Sequence, residues 1–526
     1  MREAGILMPV FSLPSRYGIG CLSKDVFEFV DFLVKSGQHC WQILPVGPTG
    51  FGNSPYQPFS AFAGNPYFIS PEKLIEEGLL QWEEVDQIDF GQDPERVDYG
   101  KQYEGRAKIL QIASDRFTEQ GGRKSAEYLA FLEVNADWLD DYCLFMALKD
   151  HYEGKSWLDW DSSARCKGAG APQDSARKLS GESPREGQDE ASSGKRPMEF
   201  WSDLFPDLAE RIGLYRFEQF EFEKEWDALH KYATEKGIRI IGDIPFYVSL
   251  DSADVWANPD VFRMTEDFVP EVVAGCPPDA FSKTGQLWGN PIYDWKALKK
   301  TGYDWWMKRI ERNRKLFDVI RIDHFLGFNS FYAVPYTART AESGTLEKGP
   351  GMDFFRVMKE TLGDVPIIAE DLGEVTEEGK KLLADTGFPG MKVLQFAFTS
   401  WDSIYLPYRH TQNSVVYTGT HDNPTTRSWI EQIPDGSRDY VRRYIHSENT
   451  DYGAFTWDFI REAYRSVADL CIIPLTDYLV KGDEARINTP GSSEGNWEWR
   501  LRPNFLSEDL ARSIRGLSEL YGRAHE

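Results

Sequence analysis

Residues 319–324 read VIRIDH, residues 366–371 read PIIAED and residues 415–423 read VVYTGTHDN, and in each segment an apolar run is followed by a carboxylate with a polar neighbour. A run of β-branched residues bounded by turn-forming residues is typical of a buried parallel strand. In a barrel of such strands all the carboxyl ends open onto one face, where barrel enzymes carry their catalytic groups. The pattern therefore predicts an α/β fold, a (β/α)8 TIM barrel, that brings Asp323, Glu370 and Asp422 into one pocket.

Paired carboxylates of this kind suit the cleavage of a glycosidic bond, because one can donate a proton while the other acts as nucleophile or base. The third carboxylate then needs an additional role. Two other interpretations stay open. A single Asp at a strand end commonly caps the helix that follows, and His and carboxylate groups at barrel strand ends can hold a divalent ion. The segments show no HxH, HExxH or CxxC spacing, so we expect no catalytic metal.

Composition indicates a large enzyme with a neutral ligand. The chain has 526 residues, of which 41% are hydrophobic, and its 17 Trp and 24 Tyr leave aromatic faces available for sugar rings. The formal net charge of −25 disfavours nucleic acid and anionic membranes as partners. We expect a monomer or homodimer that needs no cofactor.

The N-terminal segment indicates a cytoplasmic protein. It lacks a cationic leader followed by a long apolar stretch, and no run in the chain approaches 18 apolar residues. The six cysteines have no paired spacing, which fits a reducing compartment and favours neither a disulfide scaffold nor a zinc site.

Eight strand-like segments recur along the chain, and amphipathic stretches such as residues 24–36 and 217–236 alternate with them, as expected of βα units. We predict one catalytic barrel over residues 1–526, with an inserted helical subdomain at residues 46–237 between the second and third strands. A lid and insertion are predicted at residues 246–318, between the third and fourth. The predicted strands cover residues 5–10, 39–45, 238–245, 319–323, 366–371, 391–396, 415–420 and 470–475.

Three segments outside the strands have informative compositions. Residues 50–70 are rich in Gly, Pro, Asn and aromatic residues, which predicts an irregular loop lining a pocket, with Tyr56 facing the ligand. Residues 272–295 combine Gly, a Pro pair and a Trp flanked by amides, which predicts a mobile lid whose Gln286, Trp288 and Asn290 contact sugar, although ordinary loop packing is an alternative. Residues 162–197 are nearly free of apolar residues and predict a flexible surface loop, or a docking segment for a partner.

Several longer motifs resemble one known family, and their number and order make the resemblance specific. Together they resemble the 4-α-glucanotransferases of glycoside hydrolase family 77, also called amylomaltase or disproportionating enzyme. The resemblance runs from near the first residue to the last thirty. The motifs are SLPSRYGIG, GNSPYQPFSAFAGNPYFI, IIGDIPFYV, PPDAFSKTGQLWGNPIY, VIRIDHFLGF, IIAEDLG, VVYTGTHDN and RINTPGSSEGNWEWR.

The resemblance implies a barrel of the α-amylase type that cuts an α-1,4-glucan with retention and transfers the released segment to the 4-hydroxyl of another glucan. It implies that Asp323 is the nucleophile, Glu370 the general acid/base and Asp422 the carboxylate that binds ring hydroxyls and stabilises the transition state. Arg321 is implied to lie beside the nucleophile. The remaining implied sugar contacts are Ser54, Tyr56, Asp243, Gln286, Trp288, His324, His421 and Asn488.

The sequence thus predicts a retaining 4-α-glucanotransferase that acts on maltooligosaccharides and on α-1,4-glucans derived from starch or glycogen. Three alternatives stay open at this point. They are an α-glucan hydrolase, a metal-dependent barrel enzyme that uses the His and Asp pairs, and a non-catalytic glucan-binding protein that uses the aromatic loops.

Overall fold

The computed structural model describes residues 2–50, 52–161, 164–165, 207–278, 282–373 and 376–525. Apart from residues 164 and 165, the segment 162–197 that was predicted to be a flexible loop lies outside the described residues.

Eight parallel strands close into a barrel, which confirms the predicted fold class. The closed order is β1-β12-β11-β10-β9-β6-β3-β2. Each strand overlaps one of the eight predicted segments, and its pairing ends before the segment does. The barrel strands are β1 (Glu3–Leu7), β2 (Cys40–Gln42), β3 (Arg239–Ile244), β6 (Val319–Ile322), β9 (Ile367–Ala369), β10 (Gly390–Val393), β11 (Ser414–Tyr417) and β12 (Leu470–Pro474).

Alternation along the strands divides the buried apolar residues into two groups. In β3, Ile240 packs in the large core between strands and helices, whereas its neighbour Ile241 packs inside the barrel. Successive strand side chains point to opposite faces, so a continuous apolar run is needed when both faces are buried. The group inside the barrel comprises Leu7, Cys40, Ile241, Ile368, Met391, Val393, Val415, Tyr417 and Ile472.

A second, antiparallel sheet stands beside the barrel and was not predicted. Its order is β5-β4-β7-β8, and it uses residues on both sides of β6 in the chain. Much of the segment predicted as a mobile lid, residues 272–295, is therefore a paired hairpin of β4 and β5, and residues 279–281 lie outside the described part. The four strands are β4 (Val272–Cys276), β5 (Gln286–Pro291), β7 (Ser330–Pro335) and β8 (Thr345–Lys348).

Helices fill most of the connections. Between β2 and β3 lie six described α-helices, α2–α7 in the list below, and α7 begins nine residues earlier than the predicted helix at 217–236. The helices up to α7 are α1 (Lys24–Lys35), α2 (Pro71–Glu76), α3 (Trp82–Val85), α4 (Tyr99–Glu119), α5 (Ala126–Val134), α6 (Ala136–His151) and α7 (Leu208–Glu235). The remaining helices are α8 (Ala253–Ala257), α9 (Trp295–Lys300), α10 (Asp304–Leu316), α11 (Met352–Leu362), α12 (Glu377–Thr386), α13 (Thr426–Gln432), α14 (Asp435–Ile445), α15 (Tyr452–Arg465), α16 (Leu475–Tyr478) and α17 (Glu508–Leu520).

Helix α1 illustrates how the pattern of apolar residues fixes the outer layer. Its buried residues are Val26, Phe29, Val30, Phe32 and Leu33, which recur at the spacing of one helical face. That face packs on the barrel and the opposite face is polar. Within the described residues, no helix is both long and apolar enough to cross a membrane.

Candidate active site

The carboxyl ends of β6 and β9 place two acids side by side. The backbone N–H of Asp323 still donates to the carbonyl of Ile244 on β3, at 3.0 Å, and the N–H of Glu370 donates to the carbonyl of Ile322, also at 3.0 Å. The chain then leaves the ladder at His324, whose φ of 48° is left-handed. These two strands are neighbours in the barrel, so their terminal carboxylates face the same opening.

Two backbone amides hold the Glu370 carboxyl group. Its Oε2 accepts from the N–H of His324 at 2.7 Å and its Oε1 accepts from the N–H of Leu372 at 3.0 Å. Burial, with the negative charge of Asp323 added, raises the pKa of Glu370 to about 8, against the opposing effects of Arg321 and the two amides. Glu370 is therefore protonated at neutral pH and can act as an acid.

Arg321 occupies the interior of the barrel between two carboxylates. Its Nη1 donates to both oxygens of Asp243, at 2.7 and 2.6 Å, and to Asp323 Oδ1 at 3.2 Å. The Asp243 side chain is fully buried, and its Oδ2 also accepts from the hydroxyl of Tyr56 at 2.8 Å. Asp243, which the resemblance implied to be a sugar contact, thus binds other protein groups and fixes Arg321, whose charge compensates that of Asp323.

Asp422 is held by side chains from two other loop positions. Asn488 Nδ2 donates to Asp422 Oδ1 at 2.6 Å, and His421 Nε2 lies 3.3 Å from the same oxygen. Arg486 connects the backbone at Asp422 with the backbone at Asn488. Its Nη2 donates to the carbonyl of Asp422 at 3.1 Å and its Nε donates to the carbonyl of Asn488 at 2.8 Å. The Asp422 side chain remains 43% exposed, so it is accessible to a ligand.

Tyr56 joins the Asp422 side of the site to the barrel. Its ring stacks on that of His421, with centroids 5.1 Å apart and planes 13° apart, and its hydroxyl reaches Asp243. Trp497 lies 5.7 Å from Tyr56 and 6.0 Å from His421. Ser54 Oγ accepts from the N–H of Tyr56 at 3.2 Å, so Ser54 shapes the turn that presents Tyr56.

The β4–β5 hairpin brings Trp288 to the other side of the site. The Trp288 ring meets that of His324 edge to face at 5.4 Å and lies 6.2 Å from that of Tyr247. Its Nε1 donates to Gln286 Oε1 at 3.1 Å, and the side chain is 36% exposed. Burial lowers the pKa of His324. The Trp288 ring therefore contacts the ring of His324, the residue that follows Asp323, and remains partly exposed.

The predicted sugar contact Asn290 and the acidic neighbour of Glu370, Asp371, both bind other protein groups. Asn290 was expected to contact sugar, but it is buried, and its Nδ2 donates to the carbonyl of Val248 at 2.7 Å while its amide pairs with Gln57. Asp371 accompanies Glu370 in the sequence, yet its Oδ1 accepts from the N–H of Met391 at 2.7 Å. Asn290 thus connects β5 to the segments around Val248 and Gln57, and Asp371 supports strand β10.

Three residues at the site were missed by the sequence analysis: Arg486, Trp497 and Tyr247. The first two stand in the RINTPGSSEGNWEWR motif, where a cation and an aromatic residue surround the implied sugar contact Asn488. Tyr247 stands in the IIGDIPFYV motif, four residues after Asp243. In the described part of the chain, no group of three or more His, Cys, Asp or Glu side chains is placed to hold a metal ion.

Comparison with known proteins finds the same family over nearly the whole chain. The family model described as 4-alpha-glucanotransferase, glycoside hydrolase family 77, matches residues 8–186 and 189–507. A 4-alpha-glucanotransferase of Clostridium butyricum is 43% identical, over 98% of this chain and 100% of that protein. The 4-alpha-glucanotransferase of Streptococcus pneumoniae TIGR4 is 42% identical, over 100% of this chain and 98% of that protein.

The fold is similar to that of a solved relative. The structure of amylomaltase from Streptococcus agalactiae in complex with acarbose superimposes with a TM-score of 0.91 at 37% identity, covering 100% of both chains. The family model matches nearly every residue and the eight-stranded barrel agrees with the solved relative, so the chain belongs to glycoside hydrolase family 77, the 4-α-glucanotransferases.

Proposed function

We propose that this protein is a retaining 4-α-glucanotransferase that exchanges α-1,4-glucan segments between maltooligosaccharides and starch- or glycogen-derived glucans. Membership of the family supports the reaction class. The observation that carries the assignment of roles is the contrast between two adjacent strand ends. Asp323 faces a buried guanidinium, whereas Glu370 is buried enough to hold its proton at neutral pH.

In the first step, Asp323 attacks the anomeric carbon of the donor glucan. The bond from that carbon to the glycosidic oxygen breaks, and Glu370 gives its proton to the departing oxygen. The products are a glycosyl ester on Asp323 and a released glucan with a new 4-hydroxyl group. Before the attack, the positive charge of Arg321 lies beside the Asp323 carboxylate. The contacts of Arg321 with Asp243 keep the guanidinium in that position.

In the second step, Glu370 acts as a base. It takes the proton from the 4-hydroxyl of an acceptor glucan, and the acceptor oxygen displaces Asp323 from the anomeric carbon. Two inversions at one carbon give net retention. Both catalytic groups return to their starting protonation states, so no cofactor is consumed.

Asp422 supports the proposal as a group for binding ring hydroxyls. One of its oxygens is already engaged by Asn488 and His421, which fixes the plane of the carboxylate. The side chain is still partly exposed, so its second oxygen can accept from a sugar hydroxyl. Contacts of this kind that strengthen as the ring flattens stabilise the transition state.

The test is disproportionation of maltotriose. Transfer converts two molecules of maltotriose into glucose and maltopentaose and leaves the number of reducing ends unchanged. Hydrolysis yields glucose and maltose and increases that number. We expect glucose together with longer maltodextrins and a nearly constant count of reducing ends. A rise in reducing ends that matches the glucose released would identify a hydrolase and overturn the proposal.

A further inference from the structure

The loop that carries Asp422 is held at both of its ends by one buried carboxylate. This loop, called the Asp422 loop below, covers residues 418–426. It begins at Thr418, directly after strand β11, and ends at Thr426, the first residue of α13. Thr418 Oγ1 and Thr426 Oγ1 both donate to Asp477 Oδ2 at 2.6 Å. Because the two hydroxyls bind the same oxygen, the two ends of the loop are fixed to one point.

The second oxygen of Asp477 completes the attachment. Asp477 Oδ1 accepts from the backbone N–H of Thr426 at 2.8 Å. That N–H lies in the first turn of a helix, where the amides have no partner within the helix. The side chains of Thr418 and Thr426 are fully buried, and Asp477 is 1% exposed. Breaking hydrogen bonds in such a place is costly, because the buried groups then stay without a partner.

The order of the barrel strands explains why Asp477 reaches this loop. Asp477 lies in α16, which begins directly after strand β12. Strands β11 and β12 are parallel neighbours in the barrel, with Tyr417 paired to Ile472. Parallel neighbours end on the same face, so a residue just beyond β12 can bind the loop that leaves β11. The proposed chemistry has given Asp477 no role so far.

Hydrogen bonds within the loop connect its base to Asp422. The N–H and the hydroxyl of Thr420 both donate to Asn423 Oδ1, at 2.9 and 3.0 Å. The N–H of Asp422 donates to Thr420 Oγ1 at 3.2 Å. A loop that is bonded internally in this way shifts as a unit, so a displacement of its base also displaces Asp422.

The packing around the loop shows where it has room to move. A Cβ atom added to Gly419 would lie only 2.7 Å from Gln395 Nε2, and that nitrogen is fixed because it donates to the carbonyl of Pro424 at 3.0 Å. The loop is therefore closely packed against Gln395. A cavity of about 20 Å³ is lined by loop residues together with Asp477 and Arg486. This is the space of about one water molecule, so the loop can shift into it when its base is released.

We propose that Asp477 is a positioning residue for Asp422. By holding both ends of the Asp422 loop, it keeps the Asp422 carboxylate where it binds the sugar ring in the transition state. The inference rests on the proposed function, and in particular on the proposed role of Asp422. Asp477 acts at the base of the loop, whereas Asn488 and Arg486 contact Asp422 directly, so the effect of Asp477 can be measured separately from theirs.

The experiment removes the two hydroxyls and leaves Asp477 in place. Thr418→Val/Thr426→Val keeps the volume of both side chains and the N–H of residue 426. We expect kcat for maltotriose disproportionation to fall about 10- to 100-fold, the effect of a small misplacement at a reacting centre. KM should change less than about three-fold, because contacts that strengthen in the transition state act mainly on kcat. Thr418→Ser/Thr426→Ser, which keeps both hydroxyls, should retain most of the activity.

A matched control separates positioning from stability. Thr456 is a fully buried threonine of α15, and its hydroxyl donates within that helix, to the carbonyl of Tyr452 at 2.8 Å. Thr456→Val should alter the thermal unfolding midpoint at most, and should leave kcat unchanged at a temperature well below that midpoint. If Thr418→Val/Thr426→Val behaves in the same way, Asp477 only stabilises the fold and the inference is overturned.

A second measurement connects the effect to Asp422. In the Asp422→Asn background, Thr418→Val/Thr426→Val should lower the residual kcat by less than about two-fold, because the group that Asp477 positions is already impaired. Losses that multiply in full would show that Asp477 acts through another group, and would overturn the inference. Failure of the wild type to disproportionate maltotriose would instead refute the proposed function itself. The two failures are distinguishable, because the inference fails alone only when the wild type transfers normally.

Discussion

The two halves of the site are held in different ways. Asp323 and Glu370 end adjacent barrel strands, and their neighbours are backbone amides and an arginine buried in the barrel. Asp422 follows β11, and its carboxylate is held by Asn488, a side chain from a loop 66 residues away in sequence. Trp288, on the opposite side, stands on a hairpin outside the barrel. The difference teaches that the barrel fixes the groups that we propose make and break bonds, whereas the added loops fix the groups that we propose bind the sugar.

Replacing the barrel acids gives the largest expected effect. Asp323→Asn and Glu370→Gln should each lower kcat for maltotriose by on the order of 10³-fold or more, since both groups act in the transition state. Binding of maltooligosaccharide, measured by calorimetry, should survive. Activity close to that of the wild type in either variant would remove that residue from the reaction.

Weakening the support of Asp422 should have an intermediate effect. Arg486→Gln removes the donors to the carbonyls of Asp422 and Asn488 and leaves both side chains present. We expect a loss of about 10- to 100-fold in kcat/KM, the cost of a small misplacement at a reacting centre. Arg438→Gln is the matched control, because Arg438 also donates to backbone carbonyls, at the end of α13 and outside the site.

A double-variant comparison tells a positioning role from a structural one. If Arg486 acts through Asp422, adding Arg486→Gln to Asp422→Asn should cost little further activity. Full additivity of the two losses, with unchanged thermal stability, would show that Arg486 acts elsewhere.

Removing the aromatic surface of the hairpin should change selectivity more than rate. Transfer exceeds hydrolysis only if an acceptor sugar is held while water is excluded. The Trp288 ring contacts the ring of His324, the residue that follows Asp323 in the sequence. Trp288→Ala should therefore lower the ratio of transfer to hydrolysis by a few-fold, about the worth of one aromatic contact. Leu287→Ala on the same strand, which removes a side chain of similar exposure, should leave the ratio unaltered. A constant ratio in both variants would assign acceptor selection to the region around Tyr56.

The last expectation is that the loop variants leave the pH dependence of kcat/KM unchanged. Because the raised pKa of about 8 keeps Glu370 protonated, kcat/KM should decline as pH rises through about 8, where the acid is lost. Trp288→Ala and Arg486→Gln should preserve the position of this decline, since burial at the end of β9 sets it. A change in the pH at which kcat/KM declines, in either variant, would mean that the loops also affect the pKa of Glu370.

The same division explains what the sequence could and could not predict. The barrel strands were predictable because both faces are buried and each strand is a short apolar run. The predicted segments ran past the strand ends, because residues such as Asp323 and Glu370 still donate a backbone hydrogen bond to the neighbouring strand although they lie beyond the last strand residue. The β5-β4-β7-β8 sheet was missed because its hairpin is rich in Gly and polar residues and pairs with Ser330–Pro335, across the intervening strand β6.

Site residues were likewise predictable where a local pattern marks them and unpredictable where they depend on distant partners. The three carboxylates were predicted as site residues from local strand patterns, with roles supplied by family resemblance, and those roles stay predictions. The burial of Asp243 and Asn290 depends on partners at Arg321, Tyr56 and Gln57 that are far away in sequence, so no local pattern separates a sugar contact from a supporting side chain. Arg486 was missed for the same reason.

The most direct test of the central claim is to trap the glycosyl-enzyme. Glu370→Gln should accept an activated maltosyl fluoride, because fluoride leaves with little help from an acid, and should then stall because the base for the second step is missing. Peptide mass mapping should find the glycosyl group on the peptide that contains Asp323. The double variant Asp323→Asn/Glu370→Gln should carry no glycosyl group on that peptide. A glycosyl group on another residue, or turnover of the fluoride with no adduct on Asp323, would contradict the assignment of the nucleophile.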